Sequence, residues 1–233
     1  MANTLLLALM GPLQSWGERG RWEYRDSALT PTKSAVIGLL GCALGLDDDD
    51  ELRRLASKLA LGVRCDHTGT LIEDYHTVVT GVLAGTGRIK INASTKEPET
   101  VISHRQYLSD AAFLVALRGE DGLLARCAAA VRAPHWPPYL GRKSCPPARP
   151  LFEGQADFES LEAALRAWPR LVSSKDPAEE GLVAQVPASP GTGLRRSDEF
   201  ESRSRRVFRP RYVRDVLVYP PNPPEEDVCT SPS

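Results

Sequence analysis

Thr4-Leu-Leu-Leu-Ala-Leu-Met10, closed by Gly11-Pro12, is the stretch whose reading decides the fold. It is a short apolar run with no polar alternation, the pattern of a strand covered on both faces, and Gly-Pro stops it. A polar loop with aromatics follows, from Gln14-Ser15-Trp16-Gly17 through Trp22 and Tyr24. Thr30-Pro-Thr-Lys-Ser34 then starts a helix that runs to about Gly45, since Thr or Ser can cap it and proline suits an N-terminal position. Val36, Ile37, Leu40 and Leu44 form its apolar stripe. Gly38, Gly41 and Gly45 each cost about 1 kcal/mol there against alanine, which predicts close backbone packing on a sheet.

Working outward, the acidic run Asp47–Glu51 opens a second helix over Leu52–Leu59, where acids favour the positive end of the helix dipole. Leu61–Asp66 reads as a strand. Residues 70–108 are polar and rich in Gly and Thr, and they predict a protruding β-hairpin with its tip near Gly85–Gly87 or Lys96–Glu99. Ala111–Arg118 is another buried strand, and Leu123–Val131 a short helix. A last strand after Pro150 completes strand-helix-strand, hairpin insertion, strand-helix-strand. The expected class is α+β: a ferredoxin-like core over 1–155, with the insertion at about 72–108. The rest is expected to be an irregular extension over 156–220, with one helix near Phe158–Trp168 and a strand-like Val207–Tyr219. A disordered tail is expected over 221–233.

Composition excludes more than it assigns. The 233 residues carry 29 Lys+Arg against 30 Asp+Glu, a net charge of −1, so any basic surface must come from uneven distribution. Eight arginines do crowd between Arg195 and Arg214, but Asp198, Glu199 and Glu201 interleave, so local salt bridges are as good a reading as a polyanion site. The five cysteines have no Cys-x-x-Cys spacing, and the N-terminus is not signal-like, which predicts reduced cytoplasmic thiols. No apolar run is long enough to span a membrane. Neither a zinc-ligand pattern, a Walker loop, Gly-x-Ser-x-Gly nor Gly-x-Gly-x-x-Gly is present, and no metal or cofactor is expected.

Four stretches have the chemistry to hold RNA, each with a plainer alternative. Gln14, Ser15 and Trp16 supply hydrogen bonds and a stacking face; a loop tryptophan also covers sheet edges. Lys33 and Ser34 at a helix start suit a phosphate; an ordinary capped helix looks the same. Tyr139, Gly141, Arg142, Lys143 and Ser144 could cradle phosphates, or form a solvated basic turn. On the hairpin, His76, Thr77, Arg105 and Tyr107 could wrap a strand, while edge hairpins favour cations anyway. Among the four histidines, His76 beside Tyr75 is the best general acid/base candidate, although a lone histidine is more often structural.

These stretches carry a family resemblance. Gly11-Pro-Leu-Gln-Ser-Trp-Gly17, Pro31–Gly41, Val63-Arg-Cys-Asp66, Asp74-Tyr-His-Thr77, Arg105–Phe113 and Pro138–Pro146 resemble, in order, the CasD subunits of type I-E CRISPR Cascade complexes, in the RAMP superfamily. The likeness covers about residues 3–152, and beyond Phe152 it thins to Phe208-Arg-Pro-Arg-Tyr212. It implies an RRM-type core with a hairpin thumb that folds over a guide nucleotide. It also implies a non-catalytic RNA-binding role at the 5′ handle of the CRISPR RNA, with the CasC backbone and the large CasA subunit as partners and target DNA only indirectly. By resemblance, the Gln14–Gly17 loop, the Lys33-Ser34 turn and the Tyr139–Ser144 loop line the handle site. His76 and Thr77 then begin the thumb, and Arg105 and Tyr107 lie on its return. Related type I-C subunits cut repeat RNA, so a metal-independent endoribonuclease using His76 is the alternative. An adaptor that touches only protein is a third reading.

Overall fold

A computed structural model describes residues 2–18, 20, 23–79, 87–89, 91–202 and 207–224. Trp22, Arg203, Arg205, Arg206, Cys229, most of the expected Gly85–Gly87 tip and most of the expected tail lie outside them.

The opening run forms β1 (Thr4–Met10). Leu5 to Leu9 are all fully buried. Leu5, Leu7 and Leu9 face one apolar cluster and Leu6 the other, so the strand is covered on both faces as its composition requires. Each such leucine contributes about 1.5–3 kcal/mol of burial. Two short strands, β2 (Leu13–Gln14) and β3 (Tyr24–Arg25), precede α1 (Lys33–Leu44). Thr32 caps α1 by accepting from Ala35 N, and Gly45 ends it in the left-handed conformation. Next comes α2 (Asp49–Lys58), capped by Asp48, with Asp49, Asp50 and Glu51 in its first turn. The chain continues through β4 (Ala60–His67), β5 (Thr70–Val78), β6 (Val101–Ser109), β7 (Ala112–Arg118) and α3 (Asp121–Arg132). It ends with β8 (Phe152–Ala156), α4 (Leu161–Ala167), β9 (Leu182–Pro187), β10 (Leu194–Ser202) and β11 (Val207–Val218).

Seven strands form one sheet in the order β10-β11-β9-β4-β7-β1-β8, with every neighbour antiparallel. Helices α1, α2 and α3 cover one face, and α4 covers the other. The irregular extension expected over 156–220 is corrected: three of its segments are strands, and they continue the central sheet through β9 on β4. Buried Arg64 anchors it. Its Nε and Nη2 pair with Asp66 at 2.7 and 2.8 Å, and its nitrogens also donate to the carbonyls of Leu165, Trp168 and Pro169 at 2.6–2.7 Å. These carbonyls close α4, so the family-like Arg64–Asp66 pair is a brace between sheet and extension.

The glycines of α1 do not pack on the sheet. A Cβ on Gly41 would lie 2.4 Å from Leu52 Cδ2, so the close approach is to α2. A Cβ on Gly38 would meet nothing within 4 Å.

A second sheet is built on the β5–β6 hairpin, whose register runs from Thr70↔Ser109 to Val78↔Val101. Strand β2 pairs with the base of β6, and β3 lies parallel to it at His104 and Arg105. Met10 and His67 both pair with Ala112, so the ends of β1 and β4 and the start of β7 share one end of the main sheet. The loop after β1 and the hairpin after β4 therefore leave from that same end.

Candidate nucleic-acid interface

At this end three distant segments interlock. Ser15 N donates to Leu140 O at 3.0 Å, and Ala148 N donates to Met10 O at 2.8 Å. Gly141 has φ +87°, and a Cβ there would lie 1.7 Å from Ser15 O. Leu140 and Cys145 are fully buried and plug the 138–146 loop into the core, with Leu140 N on Cys145 O and Cys145 N on Arg142 O. Gly141, Lys143 and Ser144 stay exposed, and Tyr139 is half-buried.

Arg142 stands over the Tyr107 ring at 4.6 Å, and its Nη2 donates to Arg25 O at 3.0 Å and Asp26 O at 3.4 Å. The third segment, around β3, is thereby tied to the other two. Burial pushes the Tyr107 hydroxyl up, but hydrogen bonds with Arg142 and Ser144 and the Arg142 charge outweigh it, leaving the pKa below the usual tyrosine value.

The expected side chains of the first loop point inward. Gln14 is fully buried and donates to Leu9 O at 3.1 Å and Ala111 O at 2.6 Å, pinning the end of β1 to the start of β7. Ser15 donates to Gln106 O. Trp16 is fully buried, and its backbone is held by Ser27 Oγ and Ala28 N. Gln14 Oε1 and Trp16 Nε1 have no hydrogen-bond partner among the described residues. These three side chains support the loop from within, and its exposed element is Gly17.

The α1 start is already occupied. Lys33 N donates to Asp198 Oδ2 at 2.9 Å, and Lys33 Nζ pairs with Glu199 at 2.7 Å. A carboxylate of β10 thus sits where sequence patterning expects a phosphate, and Ser34 Oγ lies 3.4 Å from the capping Thr32 Oγ1. Burial works to raise the Asp198 pKa, but the Arg211 hydrogen bonds and charge, the Lys33 N–H and Arg196 hold it below the ordinary carboxylate value.

On the hairpin, Thr77 is exposed while His76 and Arg105 are partly so. His76 Nδ1 lies 3.6 Å from Asp74 Oδ2, and Arg105 Nε donates to Ser103 Oγ. The Tyr75 ring meets His104 edge-on at 5.4 Å, and His104 Nδ1 lies 2.8 Å from Glu73 Oε1. Tyr24, absent from the expected set, is 46% exposed and hydrogen-bonded to Gln106. Its only sequence signal is an aromatic beside Arg25 in a polar loop.

Two further cavities adjoin the 138–146 loop. One, of about 610 Å³, is lined by Cys42, Trp136, Tyr139, Lys143 and three prolines. The other, of about 290 Å³, shares Cys42, Trp136 and Tyr139 and runs over Ala35 and Gly38 of α1. Gly38 thus forms part of a groove floor that no side chain of the described residues fills. Among the described residues no group of three His, Cys, Asp or Glu side chains is placed to hold a metal, and no helix is long and apolar enough to cross a membrane.

Residues 4–214 match the family model described as CRISPR-associated protein (Cas_Cas5). A curated relative, the CRISPR system Cascade subunit CasD of Escherichia coli (strain K12), is 35% identical over 178 residues, 71% of this chain and 76% of its own. Of solved structures, one described as a crystal structure of a Cas protein matches with a TM-score of 0.71 and 37% identity, over 95% of this chain and 99% of its own. A chain of a CRISPR RNA-guided surveillance complex matches with a TM-score of 0.77 and 27% identity, over 95% of both.

Proposed function

This chain belongs to the CRISPR-associated Cas5 family, and from that premise we propose that it is a CasD-like, non-catalytic subunit of a type I-E Cascade that holds the 5′ handle of the CRISPR RNA. The observation that carries the reading is the Gly141–Ser15 interlock at the foot of the hairpin, beside which Lys143 and Ser144 are exposed and Tyr139 half-exposed. A single-stranded RNA end is held by cations and aromatic faces, and this surface offers both. Lys143 takes a phosphate, the exposed turn at Gly141 and Ser144 gives the strand room to approach, and Tyr139 and Tyr24 stack on bases. Gln14, Ser15, Trp16 and Arg142 hold these groups in place from behind.

The ferredoxin-like description is supported by strand order. β1, β4, β7 and β8, with α1 and α3 between them, run strand-helix-strand-strand-helix-strand and stand as β8-β1-β7-β4. The β5–β6 hairpin is inserted between the second and third of these strands and serves as the thumb. Its exposed Leu71, Ile72, Tyr75 and Ile102 suit the CasC backbone protein, while His76, Thr77 and Arg105 lie along the guide. CasA is the second protein partner, target DNA is met only through the assembly, and the site of action is the cytoplasm. The endoribonuclease alternative draws no support from His76, whose neighbour Asp74 lies beyond hydrogen-bond distance on an exposed strand.

The test is co-expression with CasC, CasA and a CRISPR array, followed by purification and sequencing of the bound RNA. The reading expects guide RNAs with intact handles, and handle affinity that falls with salt. It fails if the chain neither binds handle RNA nor enters the complex. A discrete cut of repeat RNA in EDTA that disappears in His76→Ala would overturn the non-catalytic part.

A further inference from the structure

The C-terminal extension carries a buried charge cluster that RNA contact does not explain. Asp198, 2% exposed, accepts from Arg211 Nε at 2.6 Å on Oδ1, and from Arg211 Nη2 and Lys33 N, each at 2.9 Å, on Oδ2. Its carboxylate thereby faces the first turn of α1, where the helix dipole favours an anion. The next residue, Glu199, takes the Lys33 ammonium. On the same strand Arg196 donates from Nη1 to Thr30 Oγ1 at 2.8 Å and Gln185 Oε1 at 2.7 Å, and its Nε lies 3.5 Å from Glu18 Oε1 and 3.9 Å from Asp198 Oδ2. Glu18 and Thr30 lie near the two ends of the loop over residues 17–31, and the Arg25 and Asp26 carbonyls that receive Arg142 lie between them. One cluster therefore joins the α1 start, both ends of that loop and the outer strands of the sheet.

We infer that Asp198 is a positioning residue for the RNA-facing surface: an internal carboxylate that stands in for a ligand phosphate at the α1 start and, with Arg211 and Arg196, holds the 17–31 loop against the Arg142 loop. Its functional half rests on the RNA-binding reading above, and its structural half on geometry alone. Two consequences follow. Lys33 is engaged by the protein itself and is not an RNA ligand. The extension is required for RNA binding although Asp198 never meets the RNA.

The experiment uses the full chain and its Asp198→Ala and Asp198→Asn variants. Backbone hydrogen exchange reads the 17–31 loop and the first turn of α1. Fluorescence anisotropy reads binding of a labelled single-stranded RNA that copies the handle of the host's own CRISPR repeat. Both are repeated with sodium acetate replacing sodium chloride at constant ionic strength, acetate being the missing carboxylate. For Asp198→Ala the expected result is faster exchange in both segments and RNA binding weakened about tenfold, the scale of one lost charge-assisted contact. Acetate restores both, chloride does not, and the parent protein is indifferent to the exchange of anions. If Asp198→Ala fails to fold, Asp198→Asn is read by the same two measurements and is expected to move both in the same direction. Exchange confined to parent rates, or acetate without effect, overturns the inference. Lower stability with unchanged RNA affinity overturns the positioning role. Should the parent protein not bind handle RNA, the RNA-binding reading fails by itself, and acetate-dependent protection of 17–31 still decides whether the carboxylate holds the loop.

Discussion

Replacing Gly141 by alanine tests the interlock directly, because both costs can be worked from the geometry. The backbone there has φ +87°, which an L-residue adopts at a cost of about 1–2 kcal/mol. The added Cβ would lie 1.7 Å from Ser15 O and 2.7 Å from Ser15 C. Both are backbone atoms, so no side chain can swing aside, and the two loops must separate at a further cost of about 1–3 kcal/mol. The sum, about 2–5 kcal/mol, corresponds to a Tm lower by about 5–15 °C in a chain of this size. Separation also strains the Ser15–Leu140 hydrogen bond and moves Lys143 and Ser144 away from the β3 segment, so handle RNA should bind at least about tenfold more weakly. Calorimetry gives the first quantity, and anisotropy with the folded variant gives the second. A variant with parental Tm and parental affinity would refute the interlock as the organiser of the surface. A lower Tm with parental affinity would show that the interlock is structural only and that RNA binds elsewhere.

Other substitutions separate structural from RNA-facing roles. Gly38→Ala meets nothing within 4 Å and should stabilise the chain by about 1 kcal/mol through helix propensity; a lower Tm would mean that the groove over α1 is not open. Lys143→Ala should leave Tm unchanged and reduce the slope of log affinity against log salt by about 0.7, the share of one phosphate of a single strand, and an unchanged slope would make the loop a plain basic turn. Arg64→Ala strands buried Asp66 and three carbonyls and should cost about 3–5 kcal/mol by denaturant titration, the scale of a broken buried pair; a cost below about 1 kcal/mol would remove the brace. The folded-state pKa of Asp198 is depressed, so its contribution is complete above the ordinary carboxylate value and is lost as pH falls through the lower folded value. Asp198→Asn should therefore lower Tm at neutral pH and flatten the Tm decline below about pH 4, and parallel declines in the two proteins would refute that assignment.

Much of the fold was legible in the sequence because its central strands are covered on both faces. From Leu5 to Met10 in β1 and from Ala112 to Leu117 in β7 every residue is apolar, and a run such as Ala112-Phe-Leu-Val-Ala-Leu117 admits few other readings. Helix starts were legible for a local reason: Thr32 and Asp48 sit directly before the turns they cap. The extension was harder. β9 keeps a period of two, with Leu182, Ala184 and Val186 inward, but the segments around it are rich in Pro and Gly. β10 hides its pattern altogether. Its inward positions include Arg196 and Asp198, so pairing of charges replaces apolar packing and the alternation that marks a half-buried strand is missing.

The site divides along the same line. Residue type led to segments that the fold gathers at one end of the main sheet, where the loops carry glycines, cations and aromatics. It did not give orientation. Gln14, Trp16 and Lys33 have the chemistry of RNA ligands, and the structure employs that chemistry on the protein itself. Gln14 fastens two backbone carbonyls, Trp16 fills the space beneath the loop, and Lys33 meets Glu199. Nothing local distinguishes the two uses, since the deciding partner of Lys33 is 166 residues away in the chain. A polar side chain between two strands of a buried sheet is required to satisfy nearby backbone groups whatever the protein binds. The proposed RNA surface is therefore left with the side chains beyond the last fastened position: Tyr139 and Lys143 beside the Ser15 lock, the Tyr24 ring at the edge of β3, and the hairpin past Tyr107.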